Sequence, residues 1–476
     1  MSTEFPSNRL SQGNTIQEIE EQNVCSTTEH IDRLRQRNAS MASTRIFPAE
    51  ILSDIFSYIV HDVERKEWNR QCDFVRLGHI CSEWRDIILS TPLWSKFRVD
   101  VVKELDEETP ISEAVPYLPL LLLYINNSRN SPFHLDVVFY TYYLYTSQEI
   151  LKKLQQYIPN VHTLSLLSLN WTEELPWSSW LSVENLTILF RYAQWTDDKR
   201  DISFGEFTRL RHLTIKSHTL LKFIQLPGEQ ITSLELVEVP INVCMSLLLQ
   251  CPNLVKFCAV RSCRPEFHRV LQRPETTRNL EYLSWNFVSD PACNSLYHQL
   301  RFPSLRYFSW YSSPGDHEEN EEMSALRSLV SNFPSTVSQL CISYAYGWPG
   351  DFTEFLFASM RNLKKVDVDE CDPSIVIHFL SLLNRMNDWG GCCFLPLLAK
   401  VRIIIDDEPK IPVQWKNKIA SYLVPLFHLR DPHKTGQFFL EIWHNDDIIW
   451  NELRKASVSL WKDGYAFRIE KVKVLE

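Results

Sequence analysis

The sequence predicts an α/β protein in which a helical N-terminal unit precedes an irregular solenoid of parallel strands, with helices on its convex side. Two observations favour this fold class. An apolar-x-x-apolar-x-apolar template recurs from residue 161 to residue 403, and two short helical stripes of apolar residues stand before it. The composition agrees, because 44% of the 476 residues are hydrophobic and only 11 are glycine, which is typical of a continuously packed body.

The repeat is clear in eight copies, whose three apolar positions are Val161/Leu164/Leu166, Leu210/Leu213/Ile215, Ile231/Leu234/Leu236, Leu280/Leu283/Trp285, Leu305/Phe308/Trp310, Val337/Leu340/Ile342, Leu363/Val366/Val368 and Leu398/Val401/Ile403. Weaker copies stand at Leu186/Leu189 and Leu254/Phe257, and consecutive copies start 21 to 35 residues apart. Most spacings fall within the roughly 20–29 residues of a leucine-rich repeat, which has a strand and a helix or turn per unit. We therefore expect an irregular leucine-rich-repeat-like domain over residues 101–476.

The two ends of the chain differ from the repeats. Residues 1–44 are rich in polar side chains, so they are expected to be disordered or weakly helical. The last 30 residues predict an amphipathic helix, an Asp-Gly turn and an alternating strand with Phe467, Ile469, Val472 and Val474 as its apolar residues. A more polar terminal unit of this kind is what a repeat array needs as a cap.

Residues 45–100 predict the helical unit. Pro48 stands at a helix start, and the apolar positions that follow it have helical spacing: Ile51, Leu52, Ile55, Phe56 and Ile59. A second stripe comprises Phe74, Leu77, Cys81, Trp84 and Ile88, and "STPLW" begins a further turn with Thr91 as its expected N-cap. A unit of about 50 residues buries too little surface to be stable alone, so its surplus apolar surface must be covered by the chain or by a partner.

The stretch "FPAEILSDIFSYI…LGHICSEWRDIILSTPLWSKFRV" resembles the F-box of basidiomycete fungal F-box-like proteins. The matching positions are Pro48, Glu50, Ile51, Leu52, Ile55 and Phe56, then Ile80, Cys81, Trp84 and Arg85, and finally Pro92, Leu93 and Trp94. Two departures are Phe47, where the family has leucine or isoleucine, and the long charged connector 61–73. The close resemblance covers about 50 residues, and the repeat rhythm extends it loosely over the remainder.

The resemblance implies a substrate-recognition subunit of an SCF-type cullin–RING ubiquitin ligase. Its F-box would bind the Skp-family adaptor, and through it cullin, while the repeat domain would bind an unknown protein substrate. The adaptor-binding residues implied are Pro48, Leu52, Ile55, Phe56, Leu77, Ile80, Cys81, Trp84 and Trp94. Two alternatives stay open: a helical hairpin packed on the first repeat, and a scaffold that binds partners without directing ubiquitylation. A cytoplasmic or nuclear location is expected.

Other function classes find little support in the sequence. The net charge of −10 gives no basic footprint for nucleic acid. The longest apolar run, "YLPLLLLYI", is far shorter than the about 20 residues that span a bilayer. The twelve cysteines follow no signal peptide and are interpreted as reduced thiols. No nucleotide-binding, hydrolase or metal-ligand motif is present, so we expect no catalytic residues, metal or cofactor.

A substrate surface is predicted from the strand residues between the apolar positions, which face away from the core. These are His212, Thr214, Lys216, Glu235, Tyr282, Ser284, Asn286, Tyr307, Ser309, Tyr311, Gln339, Ser343, Lys365, Asp367, Asp369, Lys400 and Arg402. Tyr282, Tyr307 and Tyr311 are the strongest candidates, since tyrosine offers apolar area with a polar group, although loops could cover them. The acidic run "DHEENEE" at 316–322 is interpreted as a solvated loop, with contact to a basic partner as an alternative.

Overall fold

A computed structural model was obtained for the chain. It describes residues 47–61, 73–101, 117–128, 131–139, 146–158, 160–169, 180–190, 200–217, 221–262, 275–286, 297–312, 319–385, 394–404, 438–444 and 467–471, with a few isolated positions. The chain divides into two compact units, Met1–Trp94 and Ser95–Glu476. Of the segment 1–44, only Asp32, Arg33 and Gln36 are described, and all three are helical.

The first unit is helical throughout most of its described part. Helix α1 spans Ala49–His61, residues 73–77 form a short helix, α2 spans Ser82–Ser90, and a 3-10 turn covers Pro92–Ser95 at the boundary between the units. Pro48 precedes α1, and its carbonyl accepts the first helical bonds from Ile51 and Leu52. The predicted turn is present, and Thr91 directly precedes it with extended backbone. The Thr91 hydroxyl donates to the carbonyl of Ile88 at 2.9 Å, so it also closes the end of α2.

The second unit is built on one parallel sheet that contains fourteen of its described strands. They are β1 Lys96–Val101, β2 Phe133–Phe139, β3 Val161–Leu169, β4 Asn185–Phe190, β6 His212–Lys216, β8 Ser233–Val237, β9 Lys256–Val260, β11 Tyr282–Asn286, β13 Tyr307–Tyr311, β14 Gln339–Ser343, β15 Lys365–Asp369, β16 Lys400–Ile404, β17 Phe439–His444 and β18 Phe467–Lys471. Their order in the sheet follows their order in the chain. The α/β class and the parallel strands are therefore confirmed.

Helices and two small sheets fill the connections. The helices are α3 Leu118–Asn127, α4 Thr146–Gln155, α5 Ile241–Gln250, α6 Glu319–Val330, α7 Gly350–Ser359 and α8 Pro373–Leu383. Strands β5 Arg200–Ser203 and β7 Leu221–Gln225 pair with each other, as do β10 Glu275–Thr276 and β12 Leu300–Arg301. None of the described helices combines the length and the apolar character that a bilayer crossing requires.

The core lies along the apolar positions of the template. Every residue of the eight clear copies is buried, for example Leu213 and Ile215 in β6. The copy Leu186/Leu189 was placed three residues too late, because Val183 precedes Leu186 and Ile188 in the core. Leu189 pairs with Lys216 and faces the other side of the sheet.

Two further predictions concern the acidic run and the C-terminal segment: the first needs correction, and part of the second lies outside the described residues. The acidic run 316–322 is not all loop, because α6 begins at Glu319 and Glu322 is buried. The Glu322 carboxylate accepts hydrogen bonds from Trp310 Nε1 at 2.7 Å and from Ser312 Oγ at 2.8 Å. At the C-terminus the predicted strand is present as β18, whereas the predicted amphipathic helix before it lies outside the described residues.

Candidate interaction surfaces

Helix α1 carries two apolar stripes. Leu52 and Phe56, one helical turn apart, are buried inside the first unit. Ile51, Ile55 and Tyr58, spaced i, i+4 and i+7, are exposed at 44%, 41% and 79%. A helix that packs on one side only would place polar residues at these outer positions, so the second stripe is surplus to the fold.

Aromatic contacts join the inner stripe (Leu52 and Phe56) to α2 and join the segments that follow α1 to one another. The Phe56 ring lies 4.8 Å from that of Trp84, and the Phe74 ring lies 4.9 Å from that of Trp94. The indole Nε1 of Trp94 donates to the carbonyl of Ile88 at 2.7 Å, which ties the residue after α2 to the last turn of that helix. Trp84 and Trp94 therefore both contribute to the internal packing of the first unit.

The nine residues proposed for adaptor binding are divided between core and surface. Leu52, Phe56 and Trp94 are buried, so in this structure they support the surface and do not form it. Leu77 and Trp84 are half-buried. The remaining four residues are exposed: Pro48, Ile55, Ile80 and Cys81. Sequence reasoning assigned all nine to one surface because apolar spacing does not tell which of two adjacent stripes faces inward.

The exposed apolar residues of the first unit also include positions outside that set. Phe47 is 47% exposed just before α1, and Ile80 is 60% exposed just before α2. We call Phe47, Ile51, Ile55, Tyr58 and Ile80 the outer stripe. The signal that could have found Ile51 and Tyr58 is their spacing with Ile55, which repeats every turn on one side of α1.

The second candidate surface is the polar face of the sheet, which carries the side chains that alternate with the core positions. Tyr282 of β11 and Tyr307 of β13 are direct register partners, as the repeat spacing predicted. Their rings are stacked, with centroids 4.1 Å apart and planes inclined by 4°. Tyr311 occupies the same face at the end of β13, opposite Asn286. The three tyrosines are partly exposed, so this tyrosine cluster is neither fully open nor fully covered.

Small polar residues lie between the tyrosine positions. Ser284 and Ser309 are register partners, and both are fully buried. Neither hydroxyl has a partner at hydrogen-bonding distance in the described part of the chain. Only weaker contacts reach them, from the neighbouring Cys258 and Cys341 thiols and from the phenols of the cluster. The tyrosines therefore enclose two buried polar groups whose hydrogen-bonding capacity is largely unused.

Burial dominates the acid–base properties of this cluster. It raises the pKa of Tyr282, Tyr307 and Tyr311, and the neighbouring Cys341 thiol raises it further. Burial also raises the pKa of the Cys258 and Cys341 thiols. All five groups therefore remain protonated and uncharged at neutral pH, so they can bind a ligand by hydrogen bonds and ring contacts and none is an activated nucleophile.

Ion pairs occupy the polar face beyond the tyrosines. Asp367 is almost fully buried between Lys365, whose Nζ lies 2.6 Å from one carboxylate oxygen, and Arg402, whose Nε lies 3.4 Å from the other. Lys400 pairs with Glu441 at 3.3 Å. Within the described residues no group of three histidine, cysteine or acidic side chains is placed to hold a metal ion.

Comparison with known proteins adds little to this geometry. No protein-family model matches the chain, and no curated protein matches it. A solved structure of a Bacteroides fragilis protein, a structural genomics target, aligns with 51% of this chain at 11% identity and a TM-score of 0.28. The chain covers 61% of that protein, about three fifths of its length. A likeness of this size carries no argument about fold or function.

Proposed function

We propose that this chain is a non-catalytic substrate-recognition subunit of an SCF-type cullin–RING ubiquitin ligase. The first unit acts as an F-box that binds a Skp-family adaptor, which joins the chain to cullin. The second unit is an irregular leucine-rich-repeat solenoid with its helices on the convex side, and its polar face binds a protein substrate. The F-box-like sequence indicates the adaptor as the partner. The parallel sheet, whose strands follow their order in the chain, supports the repeat assignment.

The observation that carries the proposal is the outer stripe, which lies within that sequence. Ile51, Ile55 and Tyr58 remain exposed on the helix whose inner stripe is buried, and Phe47 and Ile80 are exposed just before α1 and α2. Exposed apolar clusters of this kind mark protein–protein contacts, and aliphatic and aromatic anchors supply most of the binding free energy. A helix with two adjacent apolar stripes is therefore suited to pack within its own unit through one stripe and to bind a partner through the other.

Co-expression of the tagged full chain with a Skp-family adaptor and cullin tests the proposal. The variant Ile51→Asp with Ile55→Asp places two carboxylates in the outer stripe and should reduce recovery of the adaptor by about tenfold or more. The matched control is Leu123→Asp, because Leu123 is a similarly exposed aliphatic residue on α3 of the second unit. Circular dichroism of each variant checks that the chain is folded.

Equal adaptor recovery by wild type and a folded double variant would sink the assignment. If the adaptor binds and cullin does not join it, the chain is a scaffold and not a ligase subunit. A protein whose abundance rises when this chain is deleted, and falls when it is restored, would identify the substrate and distinguish a receptor from a scaffold.

A further inference from the structure

The tyrosine cluster has an electrostatic setting that indicates which chemistry it would accept. One of these rings already contacts a cation, since the ammonium group of Lys256 lies 5.2 Å from the ring centroid of Tyr282. That geometry is a cation–π contact, in which the face of the ring attracts positive charge. On the other side of the stack Tyr307 pairs with Gln339, an exposed and uncharged residue. Among the described residues, the chain thus supplies a cation to one end of the stack and an uncharged amide to the other.

The other basic groups on this part of the face are already paired. Lys365 and Arg402 both contact the buried Asp367, and Lys400 contacts Glu441. An anionic ligand beside β14 and β15 would therefore have to compete with internal carboxylates for these cations.

Two carboxylates that flank the cluster differ from these pairs. Glu235 on β8 and Asp369 on β15 are partly exposed, and neither lies within 4.0 Å of a basic side chain in the described residues. Burial and the adjacent Glu370 raise the pKa of Asp369 by more than the nearby Arg402 lowers it. A positive charge placed beside Asp369 would reverse that penalty.

We infer that the tyrosine cluster, with Glu235 and Asp369 on either side, binds a basic extended segment of the protein substrate. The inference rests on the proposed function, in which the second unit holds the substrate, and it adds the substrate's chemistry. Arginine or lysine side chains would pack on the Tyr307 side of the stack, because Lys256 already contacts the Tyr282 ring, and would pair with the two carboxylates.

The strand spacing sets the length of that segment. Five steps separate β8 from β15 in the sheet order, with β11 and β13 between them. At about 4.8 Å per step, Glu235 and Asp369 lie about 24 Å apart at the backbone. An extended chain of about seven residues covers this distance, so basic residues near the two ends of a short segment can reach both carboxylates while its middle crosses the tyrosines.

Direct binding to the purified full chain tests the inference without the adaptor. Two fluorescent peptides of equal length, one alternating arginine with serine and the other glutamate with serine, are titrated by fluorescence polarisation. The basic peptide should bind about tenfold more tightly than the acidic one. The isosteric change Asp369→Asn should weaken the basic peptide about fivefold, by removing one charge pair. Asp351→Asn alters net charge equally at an exposed position on α7 and should have no effect.

A second variant, Tyr282→Ala with Tyr307→Ala, removes the ring stack and should weaken the basic peptide at least as much as Asp369→Asn. If it does not fold, Asp369→Asn still decides. Equal binding of both peptides, tighter binding of the acidic one, or the same loss from Asp369→Asn and Asp351→Asn would overturn the inference. Adaptor capture, measured separately, reports on the proposed function, so adaptor binding without basic-peptide binding would reject only the substrate chemistry.

Discussion

The two units of the molecule differ in how completely they bury their apolar side chains. In the second unit, which we call the sheet unit, the template positions of every clear repeat are buried, from Val161 in β3 to Ile403 in β16. In the first unit, which we call the helical unit, the apolar residues of α1 are divided: Leu52 is buried, whereas Ile51 and Ile55 are exposed to water. The sheet leaves none of these apolar positions exposed. The helical unit has more apolar surface than it can bury.

This difference teaches how far an apolar pattern can be interpreted. In a parallel sheet successive side chains point to opposite faces, so period-two alternation assigns each residue to one face. In a short helix, adjacent apolar residues such as Ile51 and Leu52 lie about 100° apart and can serve two different surfaces. Exposure in the folded chain then separates packing residues from contact residues, and this separation can be tested by substitution.

The largest effect is expected in the sheet core. Trp310 is fully buried, and its Nε1 donates to the buried Glu322 carboxylate. Trp310→Ala leaves a large cavity and removes one donor from that carboxylate, so it should lower the free energy of unfolding by about 5 kcal/mol. Urea denaturation followed by far-ultraviolet circular dichroism measures the loss. Trp310→Phe, which retains a ring but lacks the N–H, should cost less. An unchanged midpoint for the alanine variant would contradict the assignment of Trp310 to the core.

The sheet could be predicted because its repeats reinforce one another. Template positions in β13 and β14 carry quite different residues, Phe308 and Leu340, and still align because the strands are equivalent. The failure at Leu186/Leu189 has a physical reason. In "NLTILF" the residues Leu186, Ile188 and Phe190 alternate on the buried face of β4, but Leu189 on the other face stands three residues after Leu186 and so imitates the first step of the template. The pairing of Leu189 with Lys216 across the ladder shows that it faces away from the core.

The candidate sites were predictable to different degrees. The alignment of Tyr282 with Tyr307 followed from their equivalent positions in two consecutive template copies and is confirmed. Their ring stacking depends on side-chain packing, which spacing does not determine. The burial of Glu322 could not be predicted from the acidic run, because its partner Trp310 lies 12 residues away and on another element. Contacts of this kind have no local sequence signal.

A second strong effect separates the packing tryptophan of the helical unit from its surface residues. Trp94 is buried against Phe74 and bonded to Ile88, so Trp94→Ala should destabilise the first unit by about 3–5 kcal/mol. Adaptor capture should then fall because the surface itself is lost. Limited proteolysis around residues 82–94, with intact sheet-unit circular dichroism, measures this local unfolding. A variant that lost adaptor binding without any gain in protease sensitivity would return Trp94 to the contact surface.

A smaller effect is expected from the surface side of the same comparison. Ile80 is 60% exposed, so Ile80→Ala should change the free energy of unfolding by less than about 0.5 kcal/mol. It should still weaken adaptor binding about tenfold, which corresponds to about 1.4 kcal/mol. Titration of purified adaptor by calorimetry gives the affinity, and Val255→Ala, an exposed site in the sheet unit, serves as the control. A loss of stability with unchanged affinity would place Ile80 among the packing residues.

The smallest effect concerns how α2 begins. Cys81 is exposed at the N-cap position with extended backbone, and its Sγ accepts from the backbone N–H of Trp84 at 3.5 Å. Sulfur is a weak acceptor, whereas a serine hydroxyl is among the preferred caps. Cys81→Ser should therefore stabilise the first unit by about 0.5–1 kcal/mol, because the oxygen satisfies a helix-end donor that the thiol satisfies poorly. Cys81→Ala, which has no acceptor, should be less stable than wild type, and the order serine, cysteine, alanine in thermal midpoint is the decisive result. The reverse order of serine and cysteine would contradict the capping role and would mean that the thiol stabilises the unit in another way.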